Sequence, residues 1–252
     1  MPDKIQLPYE LALLAEAVNY QQWMADRIRP HLGTRILEIG SGIGNLSRWL
    51  PVRERLLLTE SEPNVFATLK QNMAEHFGGD ARVSTARFDL SQPATEALGA
   101  HDFDTVVSFN VMEHIDDDAA ALARLARLLI EGSATGRLRI ATLVPAHAWA
   151  YGSIDQVYGH FRRYSKQAFA QLAARAAPGW TYSARYYNVV GLPGWFVMGK
   201  ILRQRRILPA AVKRFDALCP YIRDCDDFIH DRLGLPLGQS LIAVISFERP
   251  RP

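Results

Sequence analysis

Eight residues constrain this chain more than any others: Leu37-Glu38-Ile39-Gly40-Ser41-Gly42-Ile43-Gly44. A short β-like run from Arg35 to Ile39 feeds into three glycines at alternate positions. Glycine lets a backbone turn sharply and lets a ligand approach without a Cβ in the way. Leu46, Trp49 and Leu50 then predict a helical segment behind the turn. Dinucleotide sites share this geometry, but there a third glycine follows the second by three residues, and that position here is Ser47. Glu38 sharpens the distinction, because a carboxylate before the turn can organise it and meet an ammonium group. The same carboxylate would repel a pyrophosphate.

Downstream, apolar runs alternate with helical stretches. Leu56–Thr59, Ala81–Ala86, Phe103–Phe109 and Leu138–Leu143 read as the second to fifth strands. Pro63 sits in the first turn of the helix after the second strand. Asp116-Asp117-Asp118 opens a Leu/Ala-rich helix, where acids suit the positive helix N-terminus. Two later strands fall at 182–187 and 241–247, and a single helix is expected from about 9 to 29, ended by Pro30 and Gly33. This alternation predicts an α/β fold with a mostly parallel sheet covered by helices on both faces. The expected organisation is an N-terminal helical segment (1–34), a core (35–188) with an insertion at 145–165, a helical cap (189–238) and a final core strand (239–252).

The 252 residues suit one such domain with insertions, and 48% hydrophobic content supplies a large core. A net charge of +3 does not suggest a polyanion-binding protein, so no nucleic-acid partner is expected. Cys219 and Cys225 are too few for a disulfide framework and form no zinc-type pair, so no metal is expected. Met1-Pro2-Asp3-Lys4 lacks the start of a secretion signal, and no run approaches the ~20 apolar residues of a membrane span. The expected location is cytoplasmic.

Further acids follow in the pattern. Glu60, at the end of the second strand, is placed to hydrogen-bond ribose hydroxyls. Phe88-Asp89-Leu90 sets one carboxylate between apolar residues, which suits an adenine, although an Asx-turn explains it as simply. Together Glu38–Gly44, Thr59-Glu60, Phe88-Asp89-Leu90 and Asn110-Val111-Met112-Glu113-His114-Ile115 resemble the successive motifs of class I S-adenosylmethionine-dependent methyltransferases. Gly159-His160-Phe161-Arg162-Arg163-Tyr164 resembles a bacterial small-molecule branch of that superfamily. The resemblance runs from about Tyr20 to the end of the chain.

The resemblance implies a Rossmann-like seven-stranded sheet with the last strand antiparallel, S-adenosylmethionine as cofactor and S-adenosylhomocysteine as product. Gly40, Gly42 and Gly44 would lie beneath the methionine moiety, Glu60 on the ribose and Asp89 by the adenine. The cofactor contacts so assigned are Tyr20, Glu38, Gly40, Ser41, Gly42, Gly44, Glu60, Ser61, Asp89, Leu90, Asn110, Val111 and Glu113. Glu60 departs from the Asp of many relatives but keeps the charge.

Positioning carries most of such a displacement, with a base needed only when the acceptor must lose a proton. His114, His160 and Tyr164 are the candidate bases or orienters. Tyr151, Arg162, Tyr187 and Trp195 are the candidate acceptor contacts, drawn from an aromatic supply concentrated in the insertions. A salt bridge to Asp155 is the alternative role for Arg162 and Arg163. The expected acceptor is a small, planar or aromatic metabolite or natural product, methylated on nitrogen or oxygen; N-methylation in secondary metabolism fits the aromatics.

Trp195 to Arg214 contains no acid and carries Lys200, Arg203, Arg205, Arg206, Lys213 and Arg214. It reads as a cap helix first and as a membrane-surface segment second. The second role would suit a lipid-linked or saccharide acceptor. A nicotinamide-dependent oxidoreductase and a non-catalytic S-adenosylmethionine-binding module are the contrasting readings. The sequence is silent on oligomeric state.

Overall fold

The computed structural model describes residues 6–92, 98, 102–133 and 136–249, with side chains from 11 onward. Met1-Pro2-Asp3-Lys4 lies outside the described residues. The chain opens with α1 (Gln6–Ala15) and α2 (Val18–Ile28), then β1 (Arg35–Ile39), β2 (Arg55–Glu60), α3 (Pro63–Phe77) and β3 (Val83–Arg87). It continues through β4 (Thr105–Phe109), α4 (Asp118–Gly132), β5 (Arg137–Pro145), α5 (Ser153–Val157), α6 (Lys166–Ala176), β6 (Thr181–Tyr187), α7 (Gly191–Phe196), α8 (Pro209–Arg232) and β7 (Ser240–Glu248).

The seven strands form one sheet in the order β3-β2-β1-β4-β5-β7-β6. Every pairing is parallel except those of β7, which runs antiparallel to both β5 and β6. The central strands are buried along nearly their whole length, as parallel strands covered on both faces must be. One face packs α4 and α6 through Leu122, Leu125, Leu129, Phe169 and Leu172. The other packs α2 and α8 through Trp23, Ile28, Cys219 and Ile222, together with Leu69 and Met73 of α3. β3, at the edge, has no buried residue.

Three local features differ from the expectation. The single helix at 9–29 is two helices, because Gln21 folds back and its side-chain amide donates to the carbonyls of Leu14 (2.7 Å) and Ala15 (3.1 Å), closing the end of α1. Behind the glycine turn there is only one 3₁₀ turn, Ser47–Trp49. Pro51 disfavours helical geometry at Leu50, and Ser47 spends its hydroxyl on Glu38. The 189–238 segment also divides. Its first part, α7 and the π-helical turn Val197–Ile201, meets α5, while α8 joins α2 in the helical layer on the sheet. Trp23 and Ile222 share that apolar cluster, which gives α8 a reason to lie there.

Candidate active site

The C-terminal ends of β1, β2, β4, β5 and β6 share one edge of the sheet, the edge at which open α/β sheets bind ligands. Backbone strain concentrates there. Gly40, Gly42 and Gly44 all have positive φ after β1. Asn110 (φ 53°), His147 (φ 64°) and Asn188 (φ 62°) are left-handed just beyond β4, β5 and β6. Non-glycine residues adopt this conformation only where their surroundings hold them, and such positions cluster at working sites.

At Gly40 a Cβ would lie 2.6 Å from Val111 Cγ2, so the glycine is what lets the turn after β1 meet the segment after β4. Gly42 faces Leu11 of α1, and the Asn45 side chain donates to the Leu11 carbonyl at 2.7 Å. The N-terminal helix therefore lies across the turn. Tyr20 on α2 packs edge-on against Trp23 and Phe215, joining α2 to α8.

Glu38 is buried at the end of β1 and accepts from Ser47 Oγ at 2.5 Å. Burial pushes its pKa up to about 7, with Ser47 opposing. Ser41, also buried, has a hydroxyl with no hydrogen-bond partner in this structure, while its amide donates to the Thr59 carbonyl at 2.7 Å. Glu60 holds the turn: its oxygens accept from the amides of Gly42 (2.9 Å), Ser61 (2.8 Å) and Glu62 (3.0 Å), and from Ser61 Oγ at 3.3 Å. Asp89 forms an Asx-turn, accepting from the Ser91 amide and hydroxyl through one oxygen. Beside it a cleft is lined by Leu90, Ser91, Ile115, Ala121 and Arg124.

Across the turn, Glu113 stands on a 3₁₀ turn (Met112–His114) after β4. It is fully buried, and neither carboxylate oxygen has a hydrogen-bond partner. Burial raises its pKa to about 8, with its own amide and Arg163 pulling the other way. His114, next to it, is exposed at the rim, yet the protein around its ring and the neighbouring His160 push its pKa down to about 4. The two imidazoles meet edge-to-face at 4.7 Å. His160 Nδ1 is 2.8 Å from Asp155 Oδ1, which also accepts from Arg163 Nε at 2.8 Å. Arg163 lies over the Trp195 ring at 5.0 Å, and Tyr151 Oη donates to the His160 carbonyl at 2.7 Å.

The remaining sequence candidates are more deeply committed. The Tyr164 hydroxyl is buried beside Asp118 Oδ2 (2.8 Å) and the Met112 carbonyl (3.1 Å), and burial and Asp118 raise its pKa. Arg162 pairs with Asp118 at 2.9 Å and Asp116 at 3.5 Å, so of the two arginines it is Arg163 that pairs with Asp155. Tyr187 lies in the core edge-on to Trp23 at 5.3 Å, beneath α2 and α8.

His147 is a candidate the sequence reading missed. It follows β5 with a left-handed backbone, is buried, and stacks on Tyr186 (4.5 Å) and Trp149 (5.3 Å). Its Nε2 has no partner, and burial together with Arg163 lowers its pKa. Its position directly past a strand C-terminus was the signal available in the sequence.

Residues 37–134 match the family model described as a methyltransferase domain. The ubiquinone biosynthesis O-methyltransferase of Parvibaculum lavamentivorans is 32% identical over 146 residues, covering 55% of this chain and 53% of that protein. Phosphoethanolamine N-methyltransferase 2 of Haemonchus contortus, solved with phosphomonomethylethanolamine and S-adenosylhomocysteine, superposes over 87% of this chain and 50% of its own, with TM-score 0.53 and 18% identity. The YcgJ protein of Bacillus subtilis superposes over 90% and 98%, with TM-score 0.54 and 14% identity. The chain thus spans about half the length of the first two proteins, and the two structural likenesses concern the fold. Residues 37–134 thus match a methyltransferase domain, and the strand order and glycine turn give the chain a Rossmann-like fold that it shares with solved methyltransferases.

Proposed function

We propose that this chain transfers the methyl group of S-adenosylmethionine to an oxygen or nitrogen of a small planar or aromatic acceptor. The observation that carries the reading is the pair of carboxylates at the glycine turn. Glu38 lies buried beneath it and Glu60 is bonded to its Gly42 amide. A cofactor with an ammonium group at one end and a ribose at the other answers both. Ser61 Oγ makes the longest of the four contacts to Glu60, and a ribose hydroxyl would take its place. The Leu90 cleft is the place for the adenine, with one Asp89 oxygen left to accept from its amine. Asn110, Val111 and Glu113 follow β4 on the far side of the turn, between cofactor and acceptor.

In the reaction the acceptor lone pair attacks the methyl carbon, the C–S bond breaks, and its electron pair stays on sulfur to give S-adenosylhomocysteine. Alignment of the two partners accounts for roughly 7–11 kcal/mol in favourable systems. If the acceptor gives up a proton, His147 is suited to take it, because its depressed pKa keeps it neutral at pH 7. Exposed Trp149, tilted against Phe196 at 5.6 Å, and exposed Phe161 supply flat apolar surface at the mouth. Incubation with methyl-deuterated cofactor and a panel of phenols and nitrogen heterocycles tests this. Deuteromethyl product supports it, and S-adenosylhomocysteine binding without transfer to any acceptor favours a binding module instead.

A second reading places the acceptor at a membrane surface. Val197, Ile201, Leu202 and Leu208 are exposed among Lys200, Arg203, Arg205 and Arg206, a pairing of apolar and basic groups that suits an anionic interface. Among the described residues no helix is long and apolar enough to cross a membrane. Co-sedimentation with anionic vesicles at moderate salt supports a lipid-linked acceptor; no binding removes it.

A further inference from the structure

We propose that Glu113, His114 and His160 form a binding site for one divalent transition cation, which holds the acceptor through its oxygen atoms. The cation site stands on geometry alone, whereas its role toward the acceptor rests on the methyl-transfer reading above. This reverses the metal-free expectation from sequence.

One ligand atom from each residue lies within 4.8 Å of the other two. A tetrahedral ion with bonds near 2.1 Å sets its ligands about 3.4 Å apart, so modest side-chain closure completes the site. Glu113 gives an independent reason to expect a cation. A fully buried carboxylate with both oxygens unpartnered is costly unless a positive charge meets it. Arg163 is nearby, but its Nε is committed to Asp155 and one terminal nitrogen to the Ala146 carbonyl.

Both histidines are held as metal ligands usually are. Asp155 engages His160 Nδ1 and leaves Nε2 as the free nitrogen. His114 shares a hydrogen bond with the backbone of Gly159. Ligating imidazoles characteristically engage a carboxylate or a backbone carbonyl through their second nitrogen. The Phe161 amide, donating to the Glu113 carbonyl at 2.7 Å, fixes the two segments to each other.

One carboxylate and two imidazoles select zinc, manganese, cobalt or iron over magnesium and calcium, which prefer all-oxygen shells. Three protein ligands leave a coordination position open. Val111, against Gly40, is only two residues from Glu113, so that open position belongs to the strand edge that carries the glycine turn. One acceptor oxygen would fill it, and a second, adjacent oxygen donor would expand the ion to five-coordinate.

Chelator-stripped full chain titrated with Co²⁺ and followed by visible absorption tests the site. The expected result is one Co²⁺ per chain, displaced by Zn²⁺ and not by a hundredfold excess of Mg²⁺. Glu113→Gln and His160→Ala should weaken it by at least about tenfold, and so should His114→Ala, whose exposed side chain makes misfolding a poor explanation. His76→Ala, an exposed histidine elsewhere, should leave it unchanged. Absence of Co²⁺ binding, or binding indifferent to all three substitutions, overturns the proposal. S-adenosylhomocysteine calorimetry on the same samples keeps the two readings apart. Nucleoside binding without Co²⁺ overturns the metal site only, and Co²⁺ binding at these residues without the nucleoside overturns the methyl-transfer reading only.

Discussion

The Gly42 amide donates to Glu60 Oε2 at 2.9 Å, fastening the turn after β1 to the end of β2. Because the same carboxylate also accepts from the Ser61 and Glu62 amides, it shapes the floor on which a ribose would sit. Glu60→Gln removes the charge and one acceptor oxygen. Calorimetry should show S-adenosylhomocysteine affinity at least tenfold weaker (about 1.4 kcal/mol), with circular dichroism unchanged.

Gly40→Ala puts a methyl group 2.6 Å from Val111 Cγ2 at a left-handed position. Strain of this kind costs about 1–3 kcal/mol, read as a lower urea midpoint, and should also weaken nucleoside binding by moving the segment after β4. Gly78→Ala is the contrast. It too is left-handed, closing α3, but nothing lies within 4 Å of its would-be Cβ. It should lower stability and leave nucleoside affinity alone.

The glycine turn, the acids that follow it and the alternation of strands were legible because they are local: each is a few contiguous residues read by periodicity or spacing. That is why the strands are found where periodicity put them, whereas the antiparallel β7, which also agrees, was implied by the family resemblance. The helix behind the turn is absent because Pro51 and the Ser47–Glu38 bond outweigh the apolar spacing of Leu46, Trp49 and Leu50. His147 was hidden because its character lies in a backbone angle and two stacking partners, neither visible in sequence. His114 and His160 are 46 residues apart and meet only because the chain after β5 folds back to bridge Ala146 to Tyr164.

Glu38 and Glu113 hold their protons more tightly when folded, to about 7 and about 8, than the ordinary glutamate value of 4.5. Folding therefore takes up protons between those values. In chelator-stripped protein the stability these groups contribute is fully present below pH 4.5 and is lost as pH rises through 7 and 8. An ammonium group near Glu38 favours its charged form, so S-adenosylhomocysteine should bind more tightly from pH 6 to 8 and release a proton. Calorimetry in two buffers of different ionisation heat measures that release; proton uptake would contradict it.

Tyr164→Phe separates a structural hydroxyl from a catalytic one. The hydrogen bond near Asp118 and Met112 is worth about 1–3 kcal/mol, and the raised pKa makes the phenol a poor base at neutral pH. Stability should fall by that amount while kcat changes less than tenfold. A loss of about 10²–10⁴ in kcat would instead assign Tyr164 to proton transfer.

Asp155 is buried and serves both His160 and Arg163. Asp155→Asn leaves the guanidinium without its counter-charge, a change that costs about 3–5 kcal/mol at buried pairs. The melting temperature should drop by roughly 6–20 °C for a chain of this size. A drop near zero would mean that Arg163 is held by Trp195 and the Ala146 carbonyl alone.

The most direct test is the thermal and calorimetric response of the unmodified chain to S-adenosylhomocysteine. One site per chain is expected, and at a hundredfold excess over Kd the stabilisation is about 2.7 kcal/mol. That corresponds to a rise of roughly 5–11 °C in Tm. A saturating titration that gives neither heat nor any shift in Tm would contradict the account of the carboxylate-held turn.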